Sequence, residues 1–131
     1  MIYLDANVVI RLVEGDTATR KPLEARLASS LGMPSSLVTS RLTRLECRSK
    51  PLQAGDVGTL ARFDVFFAGV ELRLEEVSEA VVEGATELRA KYNLKTPDAI
   101  HLATAIAVGA TVFLTGDRAL ARCAEVPVEV L

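Results

Sequence analysis

The sequence predicts an α/β domain: a three-layer α/β/α sandwich around a short, mostly parallel sheet. Three observations carry that expectation. Short apolar runs alternate with longer amphipathic segments, the pattern of β–α units that need a parallel sheet. The runs at residues 2–4 and 111–115 stop at Asp5 and at Gly116-Asp117, at the strand ends where open α/β sheets bind ligands. Between them, residues 95–117 (KTPDAIHLATAIAVGATVFLTGD) give a helix start, a helix stop and a buried strand in one sweep.

Each element has its own signals. Residues 2–4 are a short apolar strand, and the chain then turns helical with Asp5 or Asn7 as the cap. A capping role alone is the alternative for Asp5. Residues 16–31 are expected as a helix with Leu23, Leu27 and Leu31 at four-residue spacing, punctuated by Pro22 and Gly32. A loop at Pro34 leads to a strand at residues 37–39. Residues 40–49 are expected as a helix capped by Ser40 and ended by Pro51, with Leu42, Leu45 and Ser49 on one face. Glu46 lies at the edge of that face, and Arg41, Arg44 and Arg48 line the adjacent one. An ion pair between Glu46 and an arginine is the structural alternative.

Residues 56–67 make an amphipathic helix with Val57, Leu60, Phe63 and Phe67 inward, and residues 70–74 alternate like a half-exposed strand. Ser78 caps the next helix, whose stripe of Val81, Ala85, Leu88 and Tyr92 closes at Asn93. Thr96 is the expected N-cap of the helix that follows, supporting its start. Pro97 fits the first helical position, and Asp98 meets the positive end of the helix. Ala99, Ala103 and Ala107 share a face suited to tight packing on a sheet, and Gly109 stops the helix. After the strand at 111–115 come a short helix at 119–124 and an edge strand at 127–131, which Pro127 can open.

Composition narrows the function classes. The 131 residues suffice for one domain, 1–131, with a real core. Half are hydrophobic and 24% charged, as in soluble globular chains. No apolar run approaches the ~20 residues of a membrane span. Residues 1–5 carry no basic segment of a signal peptide, so a cytoplasmic location is expected. Cys47 and Cys123 make no disulfide framework, and Cys47 reads as a small packed residue. The net charge of −2 gives no bulk attraction to nucleic acid, which would have to be met by local basic clusters or bound cations. Phe63, Phe66 and Phe67 cluster on one helix, a core or interface pattern rather than a base-stacking platform.

Four acids stand out by location. Asp5 ends the first strand, Glu46 follows the second, Asp98 opens a helix and Asp117 ends the strand of that unit. In a parallel sandwich these positions can share one sheet edge. Gathered carboxylates oppose one another's ionisation unless a cation compensates them. With one histidine and two scattered cysteines, zinc is disfavoured; oxygen ligands point to Mg²⁺ or Mn²⁺. Such ions stabilise the attacking and leaving oxygens of phosphodiester displacement. His101 lies one turn after Asp98 and reads first as a structural histidine. Arg41, Arg44 and Arg48 can hold RNA phosphates or form a solvated face.

Asp5-Ala-Asn7 after a strand, Glu46 on a helix, the run from Thr96-Pro-Asp98 through His101, and Thr115-Gly-Asp117 resemble the PIN domain, and within it the VapC-type toxins of toxin–antitoxin pairs. The resemblance spans the whole chain. It implies a metal-dependent endoribonuclease whose acids correspond to Asp5, Glu46, Asp98 and Asp117. It also implies Asn7 and Thr115 as polar supporters, a cognate antitoxin and a homodimer. Two other readings compete. A haloacid-dehalogenase-like phosphatase needs a proton donor two residues after its nucleophile, and position 7 is Asn. A non-catalytic RNA- or partner-binding domain of the same kind would be expected to have lost an acid, and all four are present.

Overall fold

A computed structural model describes residues 1–131. The elements are β1 (Ile2–Leu4), α1 (Ala6–Glu14), α2 (Thr17–Leu27), β2 (Leu37–Ser40), α3 (Arg41–Ala54), α4 (Val57–Phe67), β3 (Leu72–Glu75), α5 (Glu79–Tyr92), α6 (Thr96–Ala107), β4 (Val112–Thr115) and β5 (Val128–Val130). All strand pairs are parallel, in the order β3-β2-β1-β4-β5. The chain builds outward from β1 to β3, then crosses to the other side of β1 for β4. Strand order therefore reverses between β1 and β4, where Ile2 aligns with Val112 and Leu4 with Leu114. A crevice for ligands forms at the carboxyl end of such a reversal.

The alternation of β1 separates the layers. Ile2 and Leu4 face one side, with Val8, Val9, Leu23, Leu27, Phe63 and Phe67 from α1, α2 and α4. Tyr3 faces the other, with Val81, Ala85, Leu88, Ala99 and Leu102 from α5 and α6. Tyr3 stacks on Phe113 of β4 at 5.1 Å between ring centres. Burial on both faces explains why the central strands read as unbroken apolar runs. The three-layer expectation holds, and the sheet is wholly parallel. No helix is long and apolar enough to cross a membrane.

Several boundaries differ from expectation for identifiable reasons. α2 ends at Leu27 and gives way to a 3₁₀ turn at Ala28–Ser30. The Ser30 carbonyl is taken by the Ser36 hydroxyl at 2.8 Å, and Leu31 is left exposed. Pro22 lies inside α2, not at a boundary. α3 runs past Pro51 to Ala54, and Gly55 closes it in the left-handed region at φ 67°. Its inward residues are Thr43, Cys47 and Pro51, while Leu45 faces solvent. On α4, Val57 is exposed and Thr59 takes the inward place beside Phe63 and Phe67. α6 is capped by Lys95, so Thr96 is its first residue rather than its cap. Its small residues meet α5 more than the sheet: a methyl at Gly84 would sit 3.6 Å from the Ala103 side chain, and Ala107 is exposed. The expected helix at 119–124 is a 3₁₀ segment, Arg118–Arg122.

Candidate active site

β1 hands the chain to α1 at Asp5, an extended residue whose Oδ1 accepts the Ala6 N–H at 2.8 Å. Asp5 is therefore a cap, but the cap uses only one of its oxygens. Oδ2 accepts from the Thr115 hydroxyl at 2.7 Å and from the Asn7 amide at 3.0 Å. These bonds join the ends of β1 and β4 across 110 positions of sequence. The same Thr115 oxygen accepts the Asp117 N–H at 3.0 Å, and Asn7 Oδ1 accepts the Gly116 N–H at 2.8 Å. Asn7 and Thr115 thus hold Asp5 and the Gly116-Asp117 turn in one frame. Asp117 in turn caps the 3₁₀ segment through the Ala119 N–H at 2.9 Å.

Asp98 joins them from the first turn of α6. Its carboxyl is raised above the ordinary aspartate value, first by burial and then by the charges of Asp5 and Asp117, with His101 and Lys95 acting the other way. Three acids from three elements therefore share one electrostatic neighbourhood.

Glu46 arrives by a route the sequence did not reveal. It does not pair with an arginine. Its Oε1 lies 2.5 Å from His101 Nε2, and the same nitrogen is 3.9 Å from Asp5 Oδ1. On the other side of the ring, the Tyr3 hydroxyl is 2.7 Å from His101 Nδ1. Burial, then the nearby charge of Asp5, push the Tyr3 hydroxyl far above its usual range, so it stays protonated. A carboxylate oxygen can only accept, so the 2.5 Å contact makes Nε2 the donor to Glu46, while the Tyr3 hydroxyl can donate to or accept from Nδ1. His101 is 1% exposed, and all its polar atoms point into this chain of contacts. The signal for it was present but faint: His101 is one turn after Asp98, and a fully buried tyrosine must find a partner for its hydroxyl.

The three arginines of α3 turn elsewhere. Arg41 pairs with Glu76 at 2.8 Å, while Arg44 and Arg48 share Asp64 at 3.3 and 3.1 Å. Arg44 also lies over the Phe67 ring. Three cations thus meet two acids, and the face retains an excess of one positive charge.

The donor set suits a hard cation. It is all carboxylate oxygen, the one imidazole is engaged with Glu46, and burial pushes the Cys47 thiol up to about 12. No three His, Cys, Asp or Glu side chains close into a compact cage. Mg²⁺ needs none, because it keeps several waters and takes one or two carboxylates.

The family model described as the PIN domain matches residues 2–126. The chain belongs to the PIN domain family. This PIN domain also resembles solved structures over nearly its whole length. The toxin–antitoxin complex from Klebsiella pneumoniae is 25% identical with a TM-score of 0.72, over 96% of this chain and 95% of that one. VapBC2 from Rickettsia felis, bound to a DNA fragment from its promoter, is 18% identical at a TM-score of 0.78, over 98% of each chain. VapC20 of Mycobacterium tuberculosis, a toxin that cleaves the sarcin–ricin loop, is 21% identical at 0.64, over 86% of this chain and 87% of that one. The likeness to the last two is one of fold. No curated protein sequence matches the chain. Membership of the PIN family leaves the phosphatase reading without support, and Asn7 is engaged in framing Asp5 and Gly116.

Proposed function

We propose that this PIN domain is a Mg²⁺- or Mn²⁺-dependent endoribonuclease, the toxin of a VapBC-type pair whose activity a cognate antitoxin restrains. The observation that carries the reading is the shared neighbourhood of Asp5, Asp98 and Asp117, in which the charges of the other two disfavour the charge on Asp98. Asp5, Asp98 and Asp117 would hold the cation, one or two directly and the rest through its waters, with Glu46 either a further ligand or the group that orients water. The cation, when bound, would stabilise the attacking and leaving oxygens of RNA phosphodiester displacement.

The chain's own residues set the stage. Thr115 and Asn7 fix Asp5 Oδ2 from two directions, so that carboxylate cannot swing away from the crevice. The bond from Gly116 N–H to Asn7 keeps Asp117 at the mouth of the same crevice. With the His101 proton at Oε1, Glu46 Oε2 has no protein donor and is the oxygen left to accept a proton from water. Arg41, Arg44 and Arg48 offer the excess positive charge that RNA phosphates need. An antitoxin partner is supported by the likeness to the Klebsiella toxin–antitoxin complex.

The test is cleavage of cellular RNA by purified protein, with the ends mapped by sequencing. Discrete cuts are expected with Mn²⁺ and none with a chelator or in Asp5→Asn. RNA that stays intact with millimolar Mn²⁺ refutes the proposal.

A further inference from the structure

We propose that His101, itself fixed by Tyr3, is a positioning residue that sets the orientation of Glu46 in the acidic crevice. The inference rests on the nuclease reading above. Glu46 sits on α3 and its carboxylate is reached by no backbone or arginine donor; its one hydrogen-bond partner is His101 Nε2, at 2.5 Å. A half-buried glutamate side chain still has several staggered rotamers open to it. One short bond from a ring that cannot move selects among them. His101 cannot move because it is enclosed in the layer between the sheet and α6, with Tyr3 bonded to its far nitrogen. Tyr3 is equally fixed, buried and stacked on Phe113. The order of transmission is therefore β1 to α6 to α3. The strand that ends in Asp5 also aims Glu46, which couples the two carboxylates without direct contact between them.

Three features separate this from a buried polar pair that merely joins two helices. The bond uses only Oε1, leaving Oε2 for a water or a cation. The Nε2 atom lies 3.9 Å from Asp5 Oδ1, so it faces the crevice rather than the core. And Tyr3 anchors the ring from Nδ1 while Nε2 meets Glu46, the kind of hydrogen-bonded support that carboxylates around metals commonly have.

His101 is the only histidine in the chain, so its imidazole nitrogens give unambiguous NMR signals. In the protein labelled with ¹⁵N, a protonated Nε2 is expected. The Nε2–H signal should shift in Glu46→Gln, and the Nδ1 signal in Tyr3→Phe. This arm is independent of catalysis. The kinetic arm measures Mn²⁺-dependent RNA cleavage by Tyr3→Phe, His101→Gln and His101→Ala. His101→Ala should lower kcat by about 10- to 100-fold with KM little changed, the size of effect that supporting residues show. His101→Gln, which can still present an N–H near the Nε2 position, should recover most of the loss. In a Glu46→Gln background, His101→Ala should cost little more, because both changes remove one effect. Additive losses in that cycle, or an Nε2 found without a proton, overturn the proposal; Tyr3→Phe and His101→Gln keep both arms open if His101→Ala does not fold. A wild type that shows the expected NMR pattern but leaves RNA uncut refutes the nuclease reading and keeps the positioning of Glu46.

Discussion

At Asp98, burial and the charges of Asp5 and Asp117 act together against ionisation. The sign of the linkage follows. A carboxyl raised in the folded state destabilises it at pH values above that raised pKa, and the cost fades as pH falls toward the unfolded value. Asp98→Asn should therefore melt higher than the metal-free wild type at pH 7, with the difference shrinking toward pH 4. Added Mn²⁺ should raise the wild-type melting temperature by mass action and do so much less in Asp98→Asn. The same substitution should cut RNA cleavage by at least about a hundredfold, since metal ions supply several kcal/mol and each ~1.4 kcal/mol is a factor of ten. A wild-type melt unmoved by millimolar Mn²⁺, beside full activity in Asp98→Asn, would show the acid to be a bystander.

At the scale of elements, α3 joins two tasks on different faces. Its edge carries Glu46 toward His101, and its arginine face offers charge outward. Replacing Arg41, Arg44 and Arg48 with alanine, in an Asp98→Asn background that does not cut, should weaken RNA binding. The salt slope should fall by up to about 0.7 for each phosphate of a single strand that no longer meets a cation. Sequence preference should stay the same, because phosphate contacts position rather than specify. Because Asp64 and Glu76 already engage these arginines, Asp64→Ala should tighten binding. Binding by the triple variant that matches its parent across a salt series would reduce the arginines to a solvated, ion-paired face.

α3 is also where the sequence was hardest to read. The inward side is made by Thr43, Cys47 and Pro51, which carry little of the periodic apolar signal, while Leu45 lies outside. By contrast, α5 announced itself through Ser78 and the stripe Val81, Ala85, Leu88 and Tyr92, of which the first three bury and Tyr92 is half-buried. The strand ends at Asp5 and Asp117 were legible because each acid closely follows an apolar run. The contact between Glu46 and His101 was not, because it joins residues 55 positions apart on separate helices. Local spacing is silent on such contacts; only the packing of α6 and α3 against one sheet creates them.

For the whole molecule, the open question is what meets the face formed by α1 and α4. Phe63 and Phe67 belong to the core, so only part of the aromatic cluster is surface. Phe66 is half-buried and Val65 is 76% exposed, beside Leu12 and Val13 in a shallow cavity of about 410 Å³. We expect self-association with α4 at or near the interface, as apolar surface of this kind commonly marks a contact. Sedimentation should show a dimer that Val65→Asp weakens. A strict monomer at high micromolar concentration would reject this.

The central place of β1 has a consequence for how the protein comes into being. β1 pairs with β4, and the bond that closes the crevice joins Asp5 to Thr115 across 110 positions. Contacts so far apart in sequence form slowly, because a long loop must close before any pairing rewards it. During synthesis, β1 and the acid at its end must wait, unpaired on that side, until β4 has left the ribosome. The crevice is thus among the last parts of the molecule to exist. A nascent chain short of Thr115 carries Asp5, Glu46 and Asp98 but lacks the hydroxyl that holds Asp5 Oδ2 and the turn that carries Asp117.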